Sequence, residues 1–556
     1  MIEDRLLGLI RTALEGAAQA LGIEGDLPDP ALVPTKQKEH GDFATNVAMA
    51  LASRVGRNPR DVAEAIRVSF PEASFVQRVE VAGPGFLNIF VTSDWLYDAL
   101  LEIVAKGSSY GAAEPNGKRV QVEFVSANPT GPLHVGHARN AALGDALARL
   151  LAFSGWAVER EYYFNDAGGQ MDRFGSSVEA RYLQLFGHDA QVPEDGYHGG
   201  YITLLADELK DTAGDAFVGV AEGRMERIRE GAASTVLGWI KRTLARFDVH
   251  FDSFRSEHDL SSAGEIEDAI SRLRDAGHIY EADGAVWFRS TTFGDDKDRV
   301  VVRSNGTHTY FGADCAYVID KFSRGFDHLI YVWGADHHGD VVRVKGAARA
   351  LGYDPDAVEI VLYQWVSFMR DGQPVPMSKR AGTFVELDQL IDEVGTDAAR
   401  FTLLQFSNDS TMNFDIEVVK QQTMENPVYY VQYGHARIAS ILRKAEAEGV
   451  ASKPIADVDL SVLAHESELG LLRALAEIPG KLADAAEHRA PHRLTHASQD
   501  LAARFHRFYT DCRVVSDDEA LTQARLWLCT ATKQVIANVL GLLGVSAPEA
   551  MERVDG

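Results

Sequence analysis

Hydrophobic and polar positions follow two periods along this chain, and the changes of period divide it into three parts. Residues 3–22 place apolar side chains at helical spacing. A polar segment, PTKQKEHGDFATNVAMALASRVG, follows, and its second half is again helical. The stretch FVQRVEVAGPGFLNIFV then alternates with period two around a Gly-Pro-Gly turn, which predicts paired strands. Residues 106–118, KGSSYGAAEPNGK, have the composition of a linker. Residues 1–110 therefore read as a small α+β domain.

From Arg119 the pattern changes. VQVEFVSA is a near-continuous β-prone run, a Pro/Gly turn follows, and ARNAALGDALARLLAFSG is helical. WAVEREYYFND reads as a second strand and AGGQMDRFGSSVEARYLQLF as a second helix. This β-α-β-α order predicts an α/β, doubly wound, Rossmann-like parallel sheet. Residues 171–290 are mostly helical and charged and read as an insertion. Strand signals return at AVWFRS, RVVVRS, THTYF, HLIYVWG and EIVLYQWV, so the sheet is completed late, within a domain spanning 115–415. Beyond Asp415 every periodic segment is helical, which predicts an all-α bundle over 416–556.

Composition narrows the class. A chain of 556 residues is too long for one core. No apolar run approaches the roughly 20 residues of a membrane span, and the early acids of the first helix argue against a secretory signal. The three cysteines, Cys315, Cys512 and Cys529, form no CxxC pair and no zinc-spaced cluster, so no metal site is expected and a reducing cytoplasm fits. Cys315 sits in an apolar stretch and reads as core. The net charge of −26 argues against non-specific coating of nucleic acid, DNA included. It leaves room for an RNA bound through focused, salt-sensitive contacts.

Chemistry concentrates in two motifs. Pro129-Thr130-Gly131-Pro132-Leu133-His134-Val135-Gly136-His137 lies between a strand and a helix, where doubly wound folds bind ligands. Gly136 permits close approach of a bound ring, and the helix N-terminus suits phosphate. His134 and His137, three apart, can both donate to phosphate oxygens as charge builds on them. The second motif is Val375-Pro376-Met377-Ser378-Lys379-Arg380-Ala381-Gly382-Thr383. A lysine on such a loop can follow a triphosphate and neutralise its developing charge. Either motif alone has an ordinary explanation, a capped helix or a surface lysine. Together they point to ATP.

The pair resembles the two signatures of class I aminoacyl-tRNA synthetases. VEFVSANPTGPLHVGHARNAALGDALARLL and MSKRAGTFVELDQLIDEVGTDAARF resemble the arginyl-tRNA synthetase versions nearly residue for residue. The resemblance extends to HGDFATNVA and AGPGFLNIF in the first domain and YVQYGHARI in the last. One departure stands out: the family often begins its second motif with lysine, and here that place is Pro376. The mobile cation is therefore Lys379 alone, with Arg380 in support.

The resemblance implies ATP bound by Pro132, Leu133, His134, Gly136, His137, Met377, Ser378 and Lys379, with His134, Gly136, His137 and Lys379 as the catalytic set and Mg²⁺ accompanying the nucleotide. It implies arginine held by Glu123, Ser126, Asn128, Tyr310, Asp314 and His337. Two carboxylates suit a planar cation with five donors. A neutral or shorter amino acid would leave them buried and unpaired, at a cost of roughly 3–5 kcal/mol for each broken pair. The acceptor implied is a tRNA, touched at its elbow by Phe86 and Asn88 and at its anticodon by the helix carrying Tyr433 and Arg437. The expected enzyme is a monomer. The rival readings are another class I synthetase and a nucleotidylyltransferase of the same His-x-Gly-His superfamily. The latter are usually short and lack the terminal modules.

Overall fold

The computed structural model describes residues 2–35, 37–166, 168–219, 222–375, 377–378 and 383–551. It divides into two compact units: Met1–Tyr110 with Gly434–Gly480 and Asp500–Ile536, and Gly111–Tyr433 with Lys481–Gln499 and Ala537–Gly556.

In the first unit, helix Ile2–Leu21 buries Leu6, Ile10 and Leu14. Helix Pro59–Val68 starts on the Asn58 side chain, which accepts from the Arg60 N–H. The predicted paired strands are Val76–Ala82 and Phe86–Val91, antiparallel, in a four-stranded sheet with Val33–Pro34 and Phe43–Thr45. At Gly85 of their turn φ is +134°, and a Cβ would meet the Pro59 carbonyl oxygen at 2.9 Å, so only glycine fits. Tyr110 donates to the Leu475 carbonyl (3.2 Å), fastening the end of the first domain to a helix of the bundle.

The second unit is built on five parallel strands: β1 (Arg119–Glu123), β2 (Ala157–Phe164), β3 (Ser253–Ser256), β4 (His328–Gly334) and β5 (Val358–Tyr363). Their order is β5-β4-β1-β2-β3. Chain direction across the sheet reverses between β1 and β4, the switch point beside which such folds bind ligands. Residues 120–123 of β1 are all buried, as expected of a strand covered on both faces. Helix α1 (Ala138–Phe153) packs close on the chain leaving β1: a Cβ on Gly144 would overlap the Phe124 ring. Helices α2 (Tyr310–Ser323) and α3 (His338–Ala350) flank β4 in sequence.

Three expectations are corrected. THTYF is not a strand: the Thr309 side chain accepts from the Gly312 N–H and starts α2 at Tyr310. AVWF and RVVV belong to a separate antiparallel sheet with Ile279–Ala282 rather than to the parallel one. Within the segment read as helical, Ser253–Ser256 supplies the fifth parallel strand, held by backbone pairing with β2. The last strand is Met412–Asp415, and every later regular element among the described residues is helical, as the periodicity predicts. All three cysteines are buried. No described helix is long and apolar enough to cross a membrane.

Candidate active site

The chain leaving β1 turns sharply. Val125 and Ser126 have φ of +64° and +42°, and the Ser126 N–H donates back to the Phe124 carbonyl (2.9 Å). A β-branched residue in that region costs about 1–3 kcal/mol, and such strain concentrates at functional sites. Neighbours hold the turn in place. The Tyr162 hydroxyl donates to the Ala127 carbonyl (2.7 Å) and accepts from its N–H (3.1 Å). The Asn140 amide donates to the Val332 carbonyl (2.9 Å) while its oxygen accepts from the Val125 N–H, joining the ends of β1 and β4. Buried Arg139 donates to the carbonyls of Gln364, Ser407 and Ser410 at 2.7–2.8 Å, tying the start of α1 to distant loops.

The His-Val-Gly-His residues form a 3₁₀ turn, Val135–His137, that runs into α1. His134 is its N-cap: Nδ1 accepts from the Gly136 N–H (3.1 Å), which in the neutral ring leaves the proton on Nε2. His137 Nδ1 lies 3.2 Å from the His134 N–H, and the two ring centroids are 4.0 Å apart. The expected shared face is therefore present, and the rings also cap the helix. Pro132 and Leu133 are buried.

The second motif adjoins the first. Met377–Ser378 pairs with Thr383–Phe384 as a short hairpin. Its outgoing strand bonds to the histidine turn: Val135 N–H to Val385 O (3.0 Å), Leu387 N–H to Leu133 O (2.9 Å), with a bridge between His134 and Glu386. Lys379, Arg380 and Pro376 lie outside the described residues.

Beyond β1 the sheet floor carries acids. Glu123 is buried; Oε1 accepts from the Ser126 hydroxyl (3.1 Å) and Oε2 from Lys321 Nζ (2.6 Å). Asp314, partly buried on α2, accepts no hydrogen bond from any described residue. Burial first, then the charges of Glu257, Asp340 and Glu123, push its carboxyl up to about 8, against the opposing pull of Lys321. Glu257 is raised too, by burial more than by Asp166, although it accepts from the Tyr163 hydroxyl (2.9 Å). Tyr163 stacks on Tyr317 with centroids 4.4 Å apart. Behind them lies Glu161: burial pushes it up, but Arg324, Lys321 and the Tyr317 hydroxyl outweigh this and bring it down to about 2.

The remaining expected residues fall as follows. The Ser126 hydroxyl also accepts from the Tyr163 N–H (3.2 Å). Asn128 donates to Gln170 (2.8 Å) and accepts from the Asn165 N–H (3.1 Å). His337 is exposed just past β4, with Nδ1 3.2 Å from Asp340. Tyr310 is 64% exposed, at the rim of a cavity of about 420 Å³ that also includes Glu257, Ala313, Arg303 and His308. Glu257, Tyr163, Tyr317, Tyr331 and Lys321 were not anticipated. The spacing Asp314–Tyr317–Lys321, i, i+3, i+7 on one helix face, was the available signal.

In the first unit Phe86 is 39% exposed, whereas Asn88 is buried (6%). Asn88 lies on an interior strand, between Phe43–Thr45 and Val76–Ala82. Arg437 lies over the ring of Tyr509 (5.0 Å), an exposed aromatic that the sequence reading passed over. Tyr433, on the same helix as Arg437, stacks on Tyr429. In the second unit Met551 lines a cavity of about 620 Å³ with Tyr429, Gln432, Gln421 and Lys420.

This strand order, opening at its switch point on a histidine turn bonded to the Met-Ser hairpin, is the catalytic core of a class I aminoacyl-tRNA synthetase. The model described as "tRNA synthetases class I (R), catalytic domain" matches residues 99–440. "Arginyl tRNA synthetase N terminal domain" matches 5–91 and "DALR anticodon binding domain" matches 431–551. The chain is 47% identical to arginine–tRNA ligase of Heliobacterium modesticaldum, over 99% of both chains. It is 46% identical to that of Carboxydothermus hydrogenoformans, again over 99% of both. Its fold matches Thermus thermophilus arginyl-tRNA synthetase with a TM-score of 0.74 at 24% identity, over 98% of this chain and 100% of the other. The chain belongs to the arginyl-tRNA synthetase family.

Proposed function

We propose that this protein is an arginine–tRNA ligase that joins L-arginine to the 3′-terminal adenosine of its tRNA, converting ATP to AMP and diphosphate. The observation that carries the reading is the acidic cluster of Glu123, Asp314 and Glu257, in which Glu123 ends the strand that leads to the histidine turn. A guanidinium is the amino-acid side chain whose charge and donor fork suit such a set.

In the first step a carboxylate oxygen of arginine attacks the α-phosphorus of ATP, and diphosphate leaves. In the second, a ribose hydroxyl of the tRNA attacks the activated carbonyl, and AMP leaves. The protein contributes position and charge stabilisation. The Nε2 proton of His134 and the ring of His137 serve phosphate oxygens, Gly136 gives the ring room, and Pro132 and Leu133 support the turn. Lys379 neutralises charge on the triphosphate, and Met377 and Ser378 are assigned to the same nucleotide. Mg²⁺ would come with the nucleotide, held mainly by phosphate oxygens and water. Ser126, Asn128 and His337 are assigned to the amino-acid backbone and Tyr310 to the pocket rim.

The three-part division at 1–110, 115–415 and 416–556 assigns tRNA elbow, catalysis and anticodon in turn. Phe86 offers a stacking ring to a loop base, Arg437 and Tyr433 a cation and a ring to single-stranded RNA. Met551, Tyr429 and Gln432 line a cavity large enough to admit a nucleobase. We further read the enzyme as a cytoplasmic monomer with no DNA or membrane partner. The test is amino-acid-dependent diphosphate exchange, with and without tRNA. Arginine alone is expected to support it; exchange with any other amino acid at comparable efficiency would refute the assignment.

A further inference from the structure

A cation already occupies part of the acidic pocket. Lys321 is 0% exposed, and its Nζ donates to Glu123 Oε2 at 2.6 Å. The same nitrogen lies 3.8 Å from the ring centroid of Tyr331 and 4.3 Å from that of Tyr317. A carboxylate with two aromatic faces is a cage for an ammonium ion. Here the chain fills that cage with its own side chain.

The pocket's charges then divide unequally. Glu123 is paired with Lys321, and Glu161 with Arg324. Asp314 and Glu257 have no cationic partner among the described residues. Asp314 and Lys321 lie on one face of α2, seven residues apart, so a single helix presents both the open carboxylate and the resident ammonium.

We propose that Lys321 is a positioning residue for the arginine pocket: it holds the Glu123 side chain set against Ser126 before substrate arrives, and leaves Asp314 open to the guanidinium. The inference rests on the arginine reading above. Its physical basis is preorganisation. An acceptor already fixed by its neighbours loses little freedom on binding.

The test is diphosphate exchange by the full-length Lys321→Ala protein, with tRNA present. The KM for arginine is expected to rise by about tenfold or more, the scale of a lost charge-assisted hydrogen bond. The KM for ATP is expected to stay within about twofold. Propylammonium, which matches the deleted atoms, should restore the arginine KM saturably, and 1-propanol should not. Lys321→Met keeps most of the apolar stem without the charge and should show the same arginine-specific rise. An unchanged arginine KM in either variant overturns the proposal. So does equal rescue by propanol, or a parallel loss for arginine and ATP with no rescue, since those outcomes describe packing alone. Failure of the unaltered protein to exchange with arginine would instead strike the functional reading.

Discussion

Arginine binding is predicted to release a proton, and Asp314 is the group that loses it. In the empty pocket this carboxyl is pushed up to about 8, by burial and then by Glu257, Asp340 and Glu123. At neutral pH it is therefore mostly protonated. A guanidinium fork requires the ionised form, and its charge at contact distance pulls a carboxyl down again. The observed dissociation constant for arginine should then fall about tenfold per pH unit below about pH 8 and flatten above it. From pH 6 to pH 8 the change is roughly 50-fold for a single coupled proton. Calorimetric titration near pH 7 in two buffers of different ionisation enthalpy should report about one proton released per arginine bound. Asp314→Asn should abolish both effects. Equal heats in the two buffers, with a flat dissociation constant over that range, would refute the reasoning. Stability has the corresponding sign: the folded-state carboxyl lies above its ordinary 3.8, so the ligand-free protein loses stability from this group as pH rises from about 4 to about 8.

Other outcomes follow from the same geometry. Glu123→Gln should raise the arginine KM by about tenfold or more in diphosphate exchange while sparing the ATP KM; unchanged arginine kinetics would remove Glu123 from the pocket. Gly144→Ala, which forces a methyl into the Phe124 ring, should destabilise by about 1–3 kcal/mol and lower the melting temperature in a thermal-shift assay. Arg437→Ala should raise the tRNA KM in aminoacylation about fivefold or more and flatten its salt dependence, leaving the arginine KM in place; an unaltered tRNA KM would return Arg437 to a structural part.

The sequence disclosed those parts of the site that depend on local order. The histidine turn, the strand before it and the helix after it are contiguous, and period and punctuation suffice to place them. The element before Asp314 is where the structure departs from the pattern. THTYF has the β-branched and aromatic composition of a strand, yet the Thr309 cap decides for helix. Lys321 was not singled out, because a lysine on an amphipathic helix ordinarily faces water. Its burial depends on Glu123, 198 residues earlier in the chain. Ser253–Ser256 was missed for a related reason: a short polar strand at a sheet edge is specified by its partner's backbone.

Arg139 carries a consequence for synthesis. Among the described residues its guanidinium donates to carbonyls at 364, 407 and 410, 225 to 271 residues further along the chain. β1 likewise waits for β4, about 200 residues later, before the switch point exists. On a ribosome adding about 5–20 residues per second, the nascent catalytic unit spends on the order of ten seconds or more with its first signature made and the binding crevice open on one side. During that interval a cation destined for burial has only water as a partner, and the early β1–α1–β2 segment exposes a sheet edge that β4 will later cover. The order of translation therefore leaves β1 and the histidine turn as the first parts of the candidate site to be synthesised and among the last to be assembled.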